Sequence, residues 1–368
     1  MIDLYAHYLM ASLGKATATD MSEMLEGAIS HDKITRLLSQ HQFTPSTLWK
    51  LVKKAVRQVE DEQSGCLILD DHIAEKPYRA ENDLICWHYA HDKGRSVKGI
   101  NQLSCLLNSR GMDIPVSFAF IHKTDWKLDA KTGKSRRVSP ISKNEHFRRL
   151  LRQCVSNVIG FKYVLCDTWY CSKQNMICVK QELDKEFVMA IKPNRLACLA
   201  ELMGTEQEEF KDIGSLAWSE NCTQQVRLNG VPFDVLLTKK VFKNDDGSVG
   251  ELYLACSELS LDFQQINVLY QRRWKVECHH KSAKSNLNYS KCQASSPLAQ
   301  QNHCVMVLYA FFLLEKIRRK TGDNHFALKH KLYMAALISA WKAVGKYQCF
   351  SENEDVVCNT QITFKLAA

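Results

Sequence analysis

Tyr270, Arg273, Glu277 and Lys284 stand at offsets of zero, three, seven and fourteen in a stretch free of Gly and Pro up to Pro297. Read as one helix from about residue 261, that stretch places all four within an arc of roughly 60°. The face carries one carboxylate flanked by a guanidinium, an ammonium and a phenol. A lone carboxylate among cations suits a site that holds a divalent metal and an anionic phosphodiester together. The plainer alternative is a solvated basic helix with an Arg273–Glu277 pair at i,i+4. Upstream, Gly65–His72 reads as a buried strand with Asp70 and Asp71 at its carboxyl end, and Phe161–Tyr170 repeats the pattern with Asp167. Aspartate at a strand end is also ordinary turn chemistry, so neither pair is decisive alone. Together, Asp71, Asp167 and Glu277 form a set of three acids. Converging carboxylates of this kind can hold two magnesium ions, which activate the attacking oxygen and stabilise the leaving oxygen of a phosphodiester displacement. No amino-acid nucleophile is then required.

The elements that would position these acids follow a regular order. Residues 1–60 read as helical. Thr19–Leu25, the turn Glu26-Gly27-Ala28 and a helix from His31 to Leu38 behind Ser30 outline a helix-turn-helix, equally readable as a plain helical hairpin. Its second helix would offer Lys33 and Arg36, with His31 and Thr35, to DNA and turn Ile34, Leu37 and Leu38 inward. A further helix spans Leu48 to Val59. After the Asp70 strand, Gly99–Leu107 and Ile114–Ile121 read as strands joined by a turn at Asn108–Gly111. Residues 122–142 read as a basic loop, Asn144–Val158 as a helix, 172–183 as a helix and Glu186–Lys192 as a strand. Three strands, helix, strand, helix, strand is the order of a ribonuclease-H-like core: an α/β fold with a mixed five-stranded sheet and packed helices. The first and fourth strands of such a sheet are neighbours, which would bring the aspartates together. Residues 196–260 form a β-rich insertion, with Asn229-Gly230 as a hairpin turn and a second turn at Asp245–Ser248. The expected division is therefore a helical DNA-binding region at 1–60, core at 61–195, insertion at 196–260, core and late helices at 261–347, and a tail at 348–368.

Bulk properties exclude several classes. The chain has 368 residues, is 45% hydrophobic and 24% charged, and carries a net charge of +9, an ordinary globular composition with a modest bias toward polyanions. Fifteen cysteines are scattered with no C-x-x-C spacing, which argues against a zinc ribbon and for reduced thiols in a cytosol. Cys278-His279-His280 does not close a metal site by itself, because adjacent helical residues point apart. The longest apolar run, Val305–Leu314, is half the roughly 20 residues a membrane span needs and reads as a buried core helix. No transit or lipidation pattern is visible.

The spacing of Tyr270, Arg273, Glu277 and Lys284 resembles the YREK signature of cut-and-paste DDE insertion-sequence transposases, matched at all four positions. The resemblance extends over most of the chain, and a β-rich insertion before the third acid is usual in that family. It implies that Asp71, Asp167 and Glu277 are catalytic and bind metal, as two Mg2+ ions for which Mn2+ substitutes. It implies contacts of Tyr270, Arg273 and Lys284 with DNA near the cleaved end. Trp218 is the insertion aromatic available to stack on a flipped base, although a tryptophan in a β-rich region more often packs in a core. Relatives commonly carry Asp-Asp-Thr where this chain has Asp70-Asp71-His72, which leaves the choice between Asp70 and Asp71 open. The implied activity is binding of terminal inverted repeats, metal-dependent cleavage by water, and attack of a DNA 3′-hydroxyl on another strand. The implied partners are double-stranded transposon ends and target DNA, with a homodimer pairing two ends in a bacterial cytoplasm, associated with the nucleoid. A ribonuclease-H-like nuclease without strand transfer and an inactive DNA-binding descendant are the alternatives.

Overall fold

The longest strand, Arg95–Ser109, organises the sheet. In this computed structural model, which describes residues 1–128, 133–219, 221–243 and 246–349, four helices precede the first strand: α1 (Ile2–Ala11), α2 (Ala18–Met24), α3 (His31–Ser39) and α4 (Pro45–Val59). Strand β1 (Cys66–Glu75) follows, then β2 (Ile85–Ala90), β3 (Arg95–Ser109) and β4 (Met112–Phe120). The carboxyl half of β3 pairs with β4 on one edge and its amino half with β2 on the same edge. Its other edge pairs antiparallel with the whole of β1, from Cys66↔Asn108 to Glu75↔Gly99. Arg110 and Gly111, at φ 44° and 74°, form the tight β3–β4 turn, and glycine meets the positive φ without strain.

A short exposed hairpin, β5 (Asp125–Leu128) and β6 (Ser135–Val138), stands where the sequence suggests a loop. Arg137 fixes it, lying 4.7 Å over the Trp126 ring and pairing with Asp83. Part of that basic stretch, residues 129–132, lies outside the described residues. Next come α5 (Lys143–Ser156), β7 (Tyr163–Cys166), α6 (Lys173–Ile177) with a π-helical turn at Cys178–Glu182, and β8 (Glu186–Ile191). β7 runs parallel to both β1 and β8. The order β4-β3-β1-β7-β8, with only the β1–β7 and β7–β8 pairs parallel, is compatible with the expected core.

The stretch expected to be an insertion supplies β9 (Leu196–Leu199), β10 (Lys211–Asp212), β11 (Thr223–Leu228), β12 (Asp234–Lys243) and β13 (Val249–Cys256). It continues the same sheet, because β13 pairs antiparallel with β8, and the order runs on through β12, β11, β9 and β10. The whole is a mixed α/β structure on one large, mostly antiparallel sheet. Gly230 has φ 79° at the Asn229-Gly230 turn between β11 and β12. The second turn anticipated in the insertion lies partly outside the described residues, at 245.

Helices α7 (Phe263–Gln271), α8 (Trp274–Asn286), α9 (Pro297–Thr321) and α10 (His325–Cys349) close the described chain. The tail from 350 to 368 lies outside it. α9 is buried nearly all round, including Val305–Phe312 and Leu314, as its apolar run requires. One hydrophobic cluster runs from Tyr5 of α1 through the sheet to Leu314, so the amino-terminal helices share the core rather than standing apart. Asn302 of α9 ties them down, accepting from the Phe43 amide at 2.9 Å and donating to the Leu38 carbonyl at 2.8 Å. No helix among the described residues is long and apolar enough to cross a membrane.

Candidate active site

β1 and β7 part where their parallel pairing ends, at Ile68↔Leu165. Beyond that point β1 continues on β3 alone, so Asp70 and Asp71 lie inside the strand and not at its end, while Asp167 follows β7 directly. The splayed strands open a cavity of about 320 Å³ lined by Asp70, Asp71, Asp167, Glu277, His280 and Lys284, with Lys143 and Trp169 at its wall. Three acids distant in sequence are thus brought to one place.

Successive strand residues face opposite ways, and the two aspartates have different surroundings. Asp71 is fully engaged. Its Oδ2 takes the Lys143 ammonium at 2.6 Å and the Asn101 amide at 2.9 Å, and its Oδ1 accepts the Tyr170 hydroxyl at 2.5 Å. Asp70 accepts the Asp71 amide at 2.8 Å. Burial pushes the Asp70 carboxyl well above the usual carboxylate range, and the charges of Asp167, Asp71 and Glu277 add to the rise. Asp167 caps its own turn by accepting the Trp169 amide at 3.0 Å. Burial raises its carboxyl too, against the Trp169 and Tyr170 amides and Arg273, with Asp71 on the raising side.

The helix bearing Glu277 is broken. Although neither Gly nor Pro occurs there, the continuous helix anticipated from 261 onward is two helices meeting at Arg272-Arg273. Bonds of the i→i−3 type tighten the joint, from the Arg272 amide to Leu269 and from the Arg273 amide to Tyr270. Arg272 anchors it, donating to both the side chain and the carbonyl of Asn108 at 2.6 and 2.7 Å and to the Ser64 carbonyl at 2.6 Å. The four spaced residues nevertheless stay associated. Arg273 lies 5.7 Å over the Tyr270 ring and donates to Glu277 at 3.2 Å. Burial opposes the Arg273 charge, and Tyr270, Asp70 and Glu277 outweigh it. Burial also raises the Tyr270 phenol, whose electrostatic neighbours include Arg273 and Asp167. Lys284 reaches the cavity from the exposed side of α8.

His280 does not close a site with Cys278 and His279 but meets Glu277 and, from elsewhere in the fold, Asp70. His279 packs on Phe311 with ring centroids 4.5 Å apart, while His280 turns the other way, to a ring contact of 4.1 Å with His72. Asp70, Glu277 and His280 each present a ligand atom, and these atoms all lie within 4.8 Å of one another. The Nε2 of His280 is buried without a hydrogen-bond partner. Burial holds its imidazole well below the usual range, hence neutral, with His72, Lys284 and Arg273 acting the same way. An uncompensated carboxyl, a second carboxylate and a neutral, unpartnered imidazole are donors that fit a divalent cation. His72 lies beneath this cluster against Tyr289, at 4.4 Å.

The remaining expected residues lie elsewhere. Lys33 and Arg36 are exposed on α3, with Ile34 and Leu38 buried and Leu37 half-buried, but they do not line the cavity. Trp218 borders a separate cavity of about 510 Å³ beside α7. It is half-buried, its indole N–H satisfied by the Ile213 carbonyl at 3.0 Å and its ring set edgewise on Tyr253. It is packed in the β-rich region, and the exposed aromatics at the acid cavity are Trp169, 49% exposed, and Tyr89, 54% exposed. Lys143 and Tyr170 were missed. Their only local signals are the Ser142 cap, which accepts the Glu145 amide, and the Asp167–Tyr170 turn.

Two family models match this chain. Residues 1–205 match the one described as DDE superfamily endonuclease, and residues 123–313 match the one described as transposase DDE domain. No curated protein matches it.

Proposed function

The chain belongs to the DDE superfamily of transposases and endonucleases, and from there we propose that it is a cut-and-paste insertion-sequence transposase of the YREK type on a ribonuclease-H-like core. The observation that carries this reading is the meeting of Asp70, Asp167 and Glu277 in one cavity, from β1, the end of β7 and α8, with Arg273, Lys143 and Lys284 around them. Two Mg2+ ions, or Mn2+ in their place, would be held by Asp70, Asp167 and Glu277. When bound, they supply an activated attacking water or hydroxyl and charge relief at the leaving oxygen. Asp71 is assigned a positioning part: it fixes Lys143 and Tyr170 at the wall of the cavity. Arg273, braced on Tyr270 and Glu277, and Lys284, exposed at the mouth, supply positive charge to the phosphodiester. Lys33 and Arg36 on α3 offer a second basic face for the terminal repeat, within the proposed DNA-binding region at 1–60. A dimer on DNA would pair two ends.

The test that separates a transposase from a nuclease is joining. The protein is given a pre-cut terminal-repeat duplex with a free 3′-hydroxyl, a supercoiled plasmid and Mg2+. Covalent joining to the plasmid supports the reading. Cleavage of intact repeat ends with no joined product would assign a nuclease instead.

A further inference from the structure

The imidazole of His280 is left over from the proposed chemistry, yet it sits where an acid cluster lacks a ligand. His280 follows Glu277 by three residues, so the two side chains share one face of α8. Glu-x-x-His at this spacing is a recurrent way for a helix to grip a divalent transition metal. The third donor arrives from the sheet, as Asp70 of β1. His280 is 6% exposed, and its Nε2 has no hydrogen-bond partner. A buried orphan nitrogen is costly unless something fills its lone pair, and a ring nitrogen of His280 lies within 4.8 Å of carboxylate oxygens of Asp70 and Glu277, which specifies a cation. His279, one residue earlier, is turned into the core against Phe311, so of the two adjacent histidines on α8 the one that lines the cavity is His280, and it is His280 that presents a ligand atom together with Asp70 and Glu277.

We infer that His280 is a metal ligand, completing with Asp70 and Glu277 a two-carboxylate, one-imidazole site that prefers Mn2+ or another divalent transition metal to Mg2+. The inference rests on the metal-dependent reading above and adds a nitrogen ligand to it. Its physical basis is ligand softness: Mg2+ is a hard cation that favours oxygen, and exchanging one oxygen for an imidazole nitrogen tilts the site toward transition metals.

The direct test is spectroscopic. Mn2+ alone is titrated into the full chain, and pulsed electron paramagnetic resonance reads nitrogen modulation on the bound ion. Wild-type protein is expected to show a 14N coupling that converts to the 15N pattern after histidine labelling. His280→Gln, which offers a carbonyl oxygen instead, is expected to lose the coupling. It should also weaken Mn2+ binding about tenfold and Mg2+ binding by less than about threefold. Bound Mn2+ that is lost in Glu277→Gln but shows no nitrogen coupling in the wild type would overturn the His280 assignment and leave the acidic site standing. A coupling that survives His280→Gln in protein of unchanged thermal melting would also overturn it. No Mn2+ binding dependent on Asp70 or Glu277 would remove both the inference and the metal reading beneath it.

Discussion

Glu315, on α9, meets the Arg318 guanidinium at 2.8 Å and the His325 ring at 2.9 Å, whereas Asp70, on β1, faces other carboxylates and accepts one backbone amide. Both acids are withdrawn from water. Burial would raise each, but hydrogen bonds from His325 and Arg318 overcome it at Glu315 and bring that carboxyl to about 2. At Asp70 the neighbouring charges add to the burial and push it far the other way. Asp71, one residue along the strand, resembles Glu315 in being matched with a cation, Lys143. An acid given its counter-charge by the fold is part of the scaffold. An acid denied one is strained until a cation arrives, and such acids gather at functional sites.

The largest effects are expected at Asp70, and at Glu277, which faces the same cavity and pairs with Arg273 at 3.2 Å. Asp70→Asn and Glu277→Gln should each lower DNA cleavage on the order of 10³-fold. Asp70→Asn should not lower the melting temperature in metal-free buffer. A raised folded pKa means that ionisation above the unfolded pKa works against folding, and the amide relieves this. A fall in melting temperature would make Asp70 a structural residue and dissolve the contrast with Glu315.

Glu315 should behave in the opposite sense. Its folded pKa is depressed, so its contribution is fully present above the unfolded value of 4.5 and is lost as pH falls through about 2. The displacement corresponds to about 3 kcal/mol at neutral pH. Denaturant titrations should therefore show Glu315→Gln less stable at pH 7, with the gap closing between pH 4.5 and 2 and cleavage per folded molecule unchanged. A pH-independent gap would assign the loss to packing.

Asp71→Asn leaves Lys143 with a weaker acceptor at a largely buried position. A loss of about 1–3 kcal/mol in stability, with cleavage reduced about tenfold, is expected. A cleavage loss equal to that of Asp70→Asn, in folded protein, would move the metal to Asp71. The smallest effect concerns the two tryptophans. Trp169→Ala at the cavity wall should weaken binding of a frayed DNA end about tenfold, the scale of one base stack. Trp218→Phe should leave that binding unchanged, and the reverse result would return the stacking part to the insertion.

Much of this arrangement was legible before the structure. Short apolar runs bounded by Gly and by charge located β1, β7 and β8, and the Asn229-Gly230 turn located the hairpin in the insertion. Alternation along β1 says that Asp70 and Asp71 face apart, but not which of them faces Glu277. That is decided by Lys143 and Tyr170, which are 72 and 99 residues away from Asp71 in sequence. The break at Arg272-Arg273 carries no local signal, because its cause is the anchoring of Arg272 on Asn108 across the sheet. β2 was missed because its outward positions are Trp87 and Tyr89 and one of its inward positions is His88, which inverts the usual hydrophobic alternation. His280 is hidden in the sequence because Cys278-His279-His280 cannot close a site by itself, and the groups that meet its ring are Glu277 and the distant Asp70.

The most direct measurement is single-turnover cleavage of an end-labelled duplex carrying the element's terminal repeat. Wild type, Asp70→Asn, Glu277→Gln and Asp71→Asn are compared with Mg2+ and with Mn2+, after each variant's melting curve has shown it folded. Cutting at the repeat boundary by the wild type, abolished in Asp70→Asn and Glu277→Gln and only weakened in Asp71→Asn, is the expected result. Undiminished cutting by folded Asp70→Asn or Glu277→Gln would contradict the account, because the acids that meet in the cavity would then have no part in the chemistry.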